Sequence, residues 1–251
     1  MKTFWTATYT LCQRELVRFY RQPSRVVGAV GTAFLFWLVL GSGVPQAGYR
    51  AYFFPGTLLM SVMFTCIFSN ASVIEDRQAG FLQSVMTAPV SRGAIVMGKI
   101  LGGSLLSTLQ GLILLPIGLF VGISFSPLPL LGAVACLFWV SFVMNAAGFW
   151  LAWKIESIPG FHTLMNLVLL PLWMASGAVF PSSGSGFMKI LMAVNPLTYG
   201  VAGIRQGLYP NTSNPDLPSM GLCLLVLALW GMVFYAISSR AVAKSDVKRR
   251  S

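Results

Sequence analysis

The chain has 251 residues, 56% of them hydrophobic and only 9% charged, with a mean hydropathy of +0.75. This composition excludes an ordinary soluble domain and places the chain in the membrane class. The formal charge of +11 at pH 7 follows from where the basic residues fall, so no nucleic-acid partner is expected.

Residues 26–49, 51–74, 100–153, 163–188 and 217–239 contain no Lys, Arg, Asp, Glu or His. A helix needs about 20 mostly apolar residues to cross a bilayer. Four of these gaps fit one span each and the longest fits two, which predicts spans near 26–44, 52–74, 100–123, 129–153, 161–180 and 217–239. The runs are continuous rather than alternating, which favours a helical bundle over a barrel. The expected fold is all-α, with six membrane helices (26–239) preceded by an interfacial helix (1–25) and followed by a basic tail (240–251).

At the amino terminus, Trp5, Tyr9, Cys12, Leu16 and Phe19 recur at helical spacing, with Arg14, Arg18, Arg21 and Arg25 on another stripe. An aromatic and basic helix of this kind suits the headgroup plane of lipid, and it also serves as an orientation signal. No cleavable signal peptide is expected, because no apolar run interrupts the basic residues. Pro23 ends the helix.

The second span leads into a loop with the order Glu75-Asp-Arg-Gln-Ala-Gly80-Phe-Leu-Gln-Ser-Val-Met-Thr-Ala-Pro89. Phe81, Leu82, Val85 and Met86 form one apolar helical face behind an acidic start, with Gln83 on the other side. This face fits either a docking surface for a soluble partner or an ordinary interfacial loop. Gly93–Ile100 resembles a phosphate-cradling loop but has Ile100 where Ser or Thr should hold magnesium, and it enters a membrane helix. No nucleotide site is expected, and the chain is not expected to be an enzyme.

The third span carries Gly98, Gly102, Gly103, Ser107 and Gly111, a pattern for close helix packing within the chain or between copies. Pro127 and Pro129 place a turn before the fourth span. The segment 181–216 is too short and mixed to span, and is expected to lie on or dip into the outer leaflet; it includes an Asn211-Thr-Ser sequon.

On one side of the membrane this topology places Lys2, Arg14, Arg18, Arg21, Arg25, Arg77, Arg92, Lys99, Lys154, Arg240, Lys244, Lys248, Arg249 and Arg250. The other side has only Arg50, Lys189 and Arg205. Lys/Arg-rich loops stay inside, so both termini are expected in the cytosol. Cys12, Cys66, Cys136 and Cys223 form no CxxC pair, and His162 stands alone, so neither metal nor redox chemistry is expected. No acid lies near the centre of a span, which disfavours an ion-coupled carrier.

Three segments resemble the permease subunits of ABC-2 type transporters, a family of drug, lipid and polysaccharide exporters. They are Glu75-Asp-Arg-x-x-Gly80-Phe-Leu…Ala-Pro89-Val-Ser-Arg92…Gly98-Lys99, Pro171-Leu-Trp-Met-Ala-Ser176-Gly177-x-x-Phe-Pro181, and Asn195-Pro-Leu-Thr-Tyr199…Arg205. They occur in the family's order, although Gln78 and Ala79 carry less charge than is common there.

The resemblance implies the membrane half of an exporter, paired as a homodimer in the bacterial cytoplasmic (inner) membrane among its lipids. ATP and Mg would be bound by a separate soluble ABC ATPase subunit, with no cofactor in this chain. It implies that 75–99 is the coupling segment, with Asp76 and Arg77 making polar contacts to the ATPase. Phe81, Leu82, Val85 and Met86 would pack into it, and Gly80 and Pro89 would shape the segment. Asn195, Pro196, Leu197, Thr198 and Tyr199 would close an external gate. The substrate would be amphipathic. A membrane scaffold without transport activity is the rival expectation.

Overall fold

The computed structural model describes residues 2–123, 126–180, 186–210 and 217–250, with side chains from residue 4 to residue 244. Pro181, the Asn211 sequon and the side chains of Lys248, Arg249 and Arg250 lie outside that description.

The helices are α1 (Lys2–Tyr20), α2 (Pro23–Gly43), α3 (Tyr49–Gln78), α4 (Phe81–Thr87), α5 (Arg92–Leu114), α6 (Pro127–Lys154), α7 (Ile158–Trp173), α8 (Gly186–Val194), α9 (Pro196–Leu208) and α10 (Met220–Arg250). A 3-10 segment, Leu115–Val121, prolongs α5, and a π-helical turn, Met174–Ala178, prolongs α7. Six of these elements are long and apolar enough to cross a membrane: α2, α3, α5, α6, α7 and α10. They match the six spans read from the five uncharged gaps, and several extend past the expected ends.

α3 is the axis of the bundle. Of its most apolar stretch 89% is buried, against 17% for α2 and for α10. It is clasped to α5 and α6 by a buried amide pair: Asn70 Nδ2 donates to Asn145 Oδ1 (3.2 Å), and Asn145 Nδ2 donates to Ser107 Oγ (3.2 Å). In lipid such groups have no water to turn to, so the bonds join the helices.

The small residues of α5 face neighbours within the chain. A Cβ at Gly98 would lie 2.8 Å from Leu11, one at Gly102 2.8 Å from Glu15, and one at Gly111 2.8 Å from Leu137. Thus α1 docks directly on the backbone of α5. This splits the expected apolar stripe of α1: Cys12 and Phe19 are buried on the bundle, whereas Trp5 and Tyr9 are exposed.

α8 and α9 form a pair bent by 83°. α8 has no buried residue, while α9 is buried along most of its length. Cβ atoms at Gly200, Gly203 and Gly207 would meet Val140, Cys136 and Ala133 in turn, so α9 runs antiparallel along α6. Val140 lies 13 residues into the 28-residue α6, roughly 20 Å along it at 1.5 Å per residue. The α8–α9 turn is therefore a re-entrant tip at about the middle of the bundle's height.

Candidate functional site

Two ends of α3 carry the polar chemistry. At the charged end, Asp76 is 3% exposed and accepts both guanidinium nitrogens of Arg14 (2.8 and 2.9 Å), one from Arg18 (2.7 Å) and the ammonium of Lys99. Glu15, on α1, accepts from Lys99 Nζ (2.6 Å), Ser72 Oγ (2.8 Å) and Arg14 (3.3 Å). Glu75 pairs with Arg18 and with Arg25 (2.6 Å). Four cations thus surround three carboxylates drawn from α1, α2, α3 and α5. Paired charges hold each other in place where unpaired ones could not be buried. The arrangement also keeps Arg14 more firmly protonated than usual, first through its hydrogen bonds to Asp76, although partial burial opposes this.

The network reaches α4 through Arg14, whose guanidinium lies 3.6 Å from the centroid of the Phe81 ring. Gly80 turns the chain between α3 and α4 with φ +74°, a left-handed conformation that glycine adopts without a Cβ clash. The short α4 then lays its apolar face on its own bundle. Leu82 is fully buried, and Phe81, Val85 and Met86 are half-buried against the core. The outward residues are Gln83, Ser84, Thr87, Ala88 and Pro89.

Of the residues expected to dock, Leu82 is the one that the bundle itself covers completely. Leu82 does not present itself to a partner, because the bundle already satisfies the hydrophobic face of a seven-residue helix. Phe81, Val85 and Met86 are turned the same way. Asp76, expected to make polar contacts to the ATPase, is enclosed by Arg14, Arg18 and Lys99. Arg77 donates to the carbonyls of Trp153 and Ile155, which satisfies groups that the end of α6 leaves without helical partners. Pro89 is exposed, and Gln83 is exposed as expected.

Sequence reasoning passed over Glu15, and it named Lys99 without pairing it with an acid. The chain has only six acids, and three of them meet in this network. An acid on the otherwise aromatic and basic α1, together with a lysine at the threshold of the third span, was the signal available.

At the opposite end, cations and tyrosines bond to backbone carbonyls. Tyr52 Oη donates to Gly177 O (2.8 Å) and Tyr49 Oη to Val179 O (3.1 Å). Arg205 donates to Tyr52 O (3.2 Å) and Gly177 O (3.1 Å) and stacks 4.2 Å from the centroid of the Tyr52 ring. The kink after α7 frees these acceptors, and it turns on Gly177 at φ +79°. Pro55, inside α3, cannot donate to Ala51 O. Tyr209 Oη takes that acceptor (2.8 Å). The start of α3, the end of α7 and the end of α9 are thereby joined.

The signature residues Asn195–Tyr199 stand at the re-entrant tip. Asn195 is 2% exposed. Its side chain accepts from Leu197 N (3.0 Å) as the cap of α9 and donates to Leu172 O (2.7 Å), so it pins the tip to α7. Pro196 starts the helix, where a missing N–H costs nothing. Leu197 is buried, Thr198 is half-buried, and Tyr199 Oη donates to Ala193 O (3.0 Å) across the bend.

Residues 6–209 match the family model described as ABC-2 type transporter. The chain is similar to the inner membrane transport permease YadH of Escherichia coli, at 21% identity over 96% of this chain and 97% of the relative. It is also similar to the daunorubicin resistance ABC transporter permease protein DrrB1 of Streptomyces coeruleorubidus, at 25% identity over 94% and 85%. A third relative, named "Putative transport permease ycf38", of Cyanophora paradoxa, is 25% identical over 82% and 74%. The chain belongs to the ABC-2 type transporter family as a membrane permease.

Proposed function

We propose that this chain is the membrane subunit of an ATP-binding cassette exporter, working as a homodimer with a separate soluble ATPase docked at the charged end. That end faces the cytosol of a bacterial cell, with both termini inside. The observation that carries the reading is α3. It is buried nearly throughout, continues through Gly80 into α4, and ends at the Tyr49–Tyr52 clasp on the α7 kink and α9. A push on the outward face of α4 is passed along one rigid helix to the segments that hold the re-entrant tip. ATP-driven switching then requires only that the ATPase bind the two arrangements with different affinity.

The docking contacts are assigned to Gln83, Ser84, Thr87, Ala88 and Pro89, with Phe81, Leu82, Val85, Met86, Asp76 and Arg77 stiffening the segment from within. The re-entrant pair acts as the gate, and the substrate is amphipathic. The name of the Streptomyces relative, a drug-resistance permease, supports export of such a compound.

The test is purification of the tagged chain from its native membranes, with mass spectrometry and ATP-hydrolysis assay. A P-loop ATPase should co-purify, and Thr87→Arg should release it while the permease still inserts. If no ATPase accompanies the folded chain, a scaffold role replaces this reading. Orientation is tested separately by thiol labelling of intact cells. A cysteine at exposed Gln46 should react with an impermeant reagent, and one at Gln83 should not.

A further inference from the structure

A groove of about 380 Å³ opens between α6, α7 and α10, with the α8–α9 turn as its roof. Met144 and Leu151 of α6, Leu164 and Val168 of α7, and Trp230 and Phe234 of α10 form its walls. Its size falls in the range of small-ligand sites, about 300–1,000 Å³. The lining carries no charged side chain, and its one amide, Asn195, is already bonded to Leu172 O and Leu197 N. Nothing in the wall demands a polar ligand, and all three walls are membrane-spanning helices, so the groove is filled from the lipid phase.

The charged end of the groove is marked by a cation. Trp150 forms part of the wall, and Lys154 Nζ lies 4.3 Å from the centroid of its indole. Lys154 is exposed and makes no ion pair among the described residues. Ser238 Oγ donates to Ala146 O (3.0 Å), which sets the parallel helices α6 and α10 in register. Lys154 and Lys244 lie eight and six residues further along, so both ammonium groups come to about the same level. Glu156 is the one carboxylate in the adjoining stretch 155–157. We propose that this groove binds one alkyl chain of an anionic amphiphile drawn from the leaflet at the charged end, with its head group at Lys154.

The alkyl chain ends against Val194–Leu197, so occupancy props the re-entrant tip. Dispersion contacts with the apolar wall hold the chain, and Lys154 selects the head group.

The test uses the purified permease in detergent and a photoactivatable 16-carbon fatty acid, beside the alcohol of the same chain. Crosslinks should map to 143–151, 164–172 and 230–234, with the acid labelling roughly threefold more than the alcohol, as one exposed ion pair warrants. Ala147→Trp fills the groove and should abolish the labelling, and Val168→Trp at the wall should do the same should Ala147→Trp fold poorly. Lys154→Glu should remove the preference for the acid and leave the alcohol unchanged. Labelling spread evenly over the exposed apolar helices, or unaltered by both tryptophans, overturns the site. Equal labelling by acid and alcohol in the unaltered protein overturns the anionic assignment. The measurement needs neither an ATPase nor transport, so its failure is distinct from that of the coupling scheme.

Discussion

The two ends of α3 are held by opposite means. At the charged end, four cations and three carboxylates are joined by ion pairs, with Asp76, Glu15 and Lys99 buried. At the other, Arg205 and three tyrosines donate to backbone carbonyls, and no carboxylate takes part among the described residues. A buried ion network is costly to break, because every broken pair leaves a charge without a counterpart. A neutral hydrogen bond contributes only about 1 kcal/mol net. Under the proposed coupling scheme, the charged end is the fixed joint and the tyrosine end, apart from the charged Arg205, is the one that yields.

The harshest way to break this comparison is Asp76→Asn, which leaves Arg14, Arg18 and Lys99 facing an uncharged group. Loss of one partner of a buried pair costs about 3–5 kcal/mol. The lower end of that range is expected here, since the Arg14 side chain is 34% exposed and solvent screens it. Thermal unfolding in detergent should show a large fall. The double variant Glu15→Gln with Lys99→Met should lose less than the sum of its single changes, because the second removes the charge that the first orphans. An unfolding midpoint for Asp76→Asn within error of the unaltered protein would show that the network is decorative.

The same variant should loosen α1, and Cys12 reports it. Burial, and then Glu15, push the Cys12 thiol above its ordinary range. At neutral pH less thiolate is present, so a maleimide should react slowly, and the rate should keep rising with pH beyond the point where a free cysteine levels off. In a chain retaining Cys12 alone, Asp76→Asn should speed the reaction at pH 7. Unchanged labelling would mean that α1 is held by packing on Gly98 and Gly102 and not by charge.

At the tyrosine end smaller losses are expected. Gly177→Ala forces a side chain into the left-handed region, at about 1–2 kcal/mol. Tyr52→Phe removes one hydrogen bond, at about 1 kcal/mol. Neither should disturb Cys12 labelling, and each should add to Asp76→Asn without coupling, since the sites lie at opposite ends. The sharper readout is transport, which should change more than stability does. If Tyr52→Phe unfolds the protein as readily as Asp76→Asn, the contrast between a fixed and a yielding end is lost.

The six spans were legible because each uncharged gap is a local property of composition. The association of Glu15, Asp76 and Lys99 was not, because the three are separated by 61 and 23 residues and meet only when α1 lies on the glycines of α5. The apolar face of α4 was visible in the order Phe81-Leu82-Gln83-Ser84-Val85-Met86, yet periodicity identifies a buried face without saying what buries it. Intramolecular packing had the first claim on so short a helix. The depth of Asn195–Tyr199 was not legible in their order. Depth came from Gly200, Gly203 and Gly207 fitting down α6, a stripe that looks like turn chemistry until its neighbour is known.

The smallest expected change in stability is at Gln83, and it separates docking from folding most cleanly. Gln83 is exposed on α4, and its neighbours Leu82 and Phe81 are the residues that hold the helix. Gln83→Arg should alter the unfolding midpoint by no more than the roughly 0.5 kcal/mol typical of a surface position. If the outward face meets the ATPase, the same change places a long charged side chain in the interface and should raise the dissociation constant at least severalfold, read by titrating labelled ATPase onto the permease. Leu82→Ala makes the opposite case, because it should cost about 2–5 kcal/mol of stability through the cavity it leaves. It should weaken docking only so far as α4 itself loosens. A Gln83→Arg permease that binds ATPase as tightly as the unaltered chain, beside a folded Leu82→Ala that does not bind, would return the contact to the inward face.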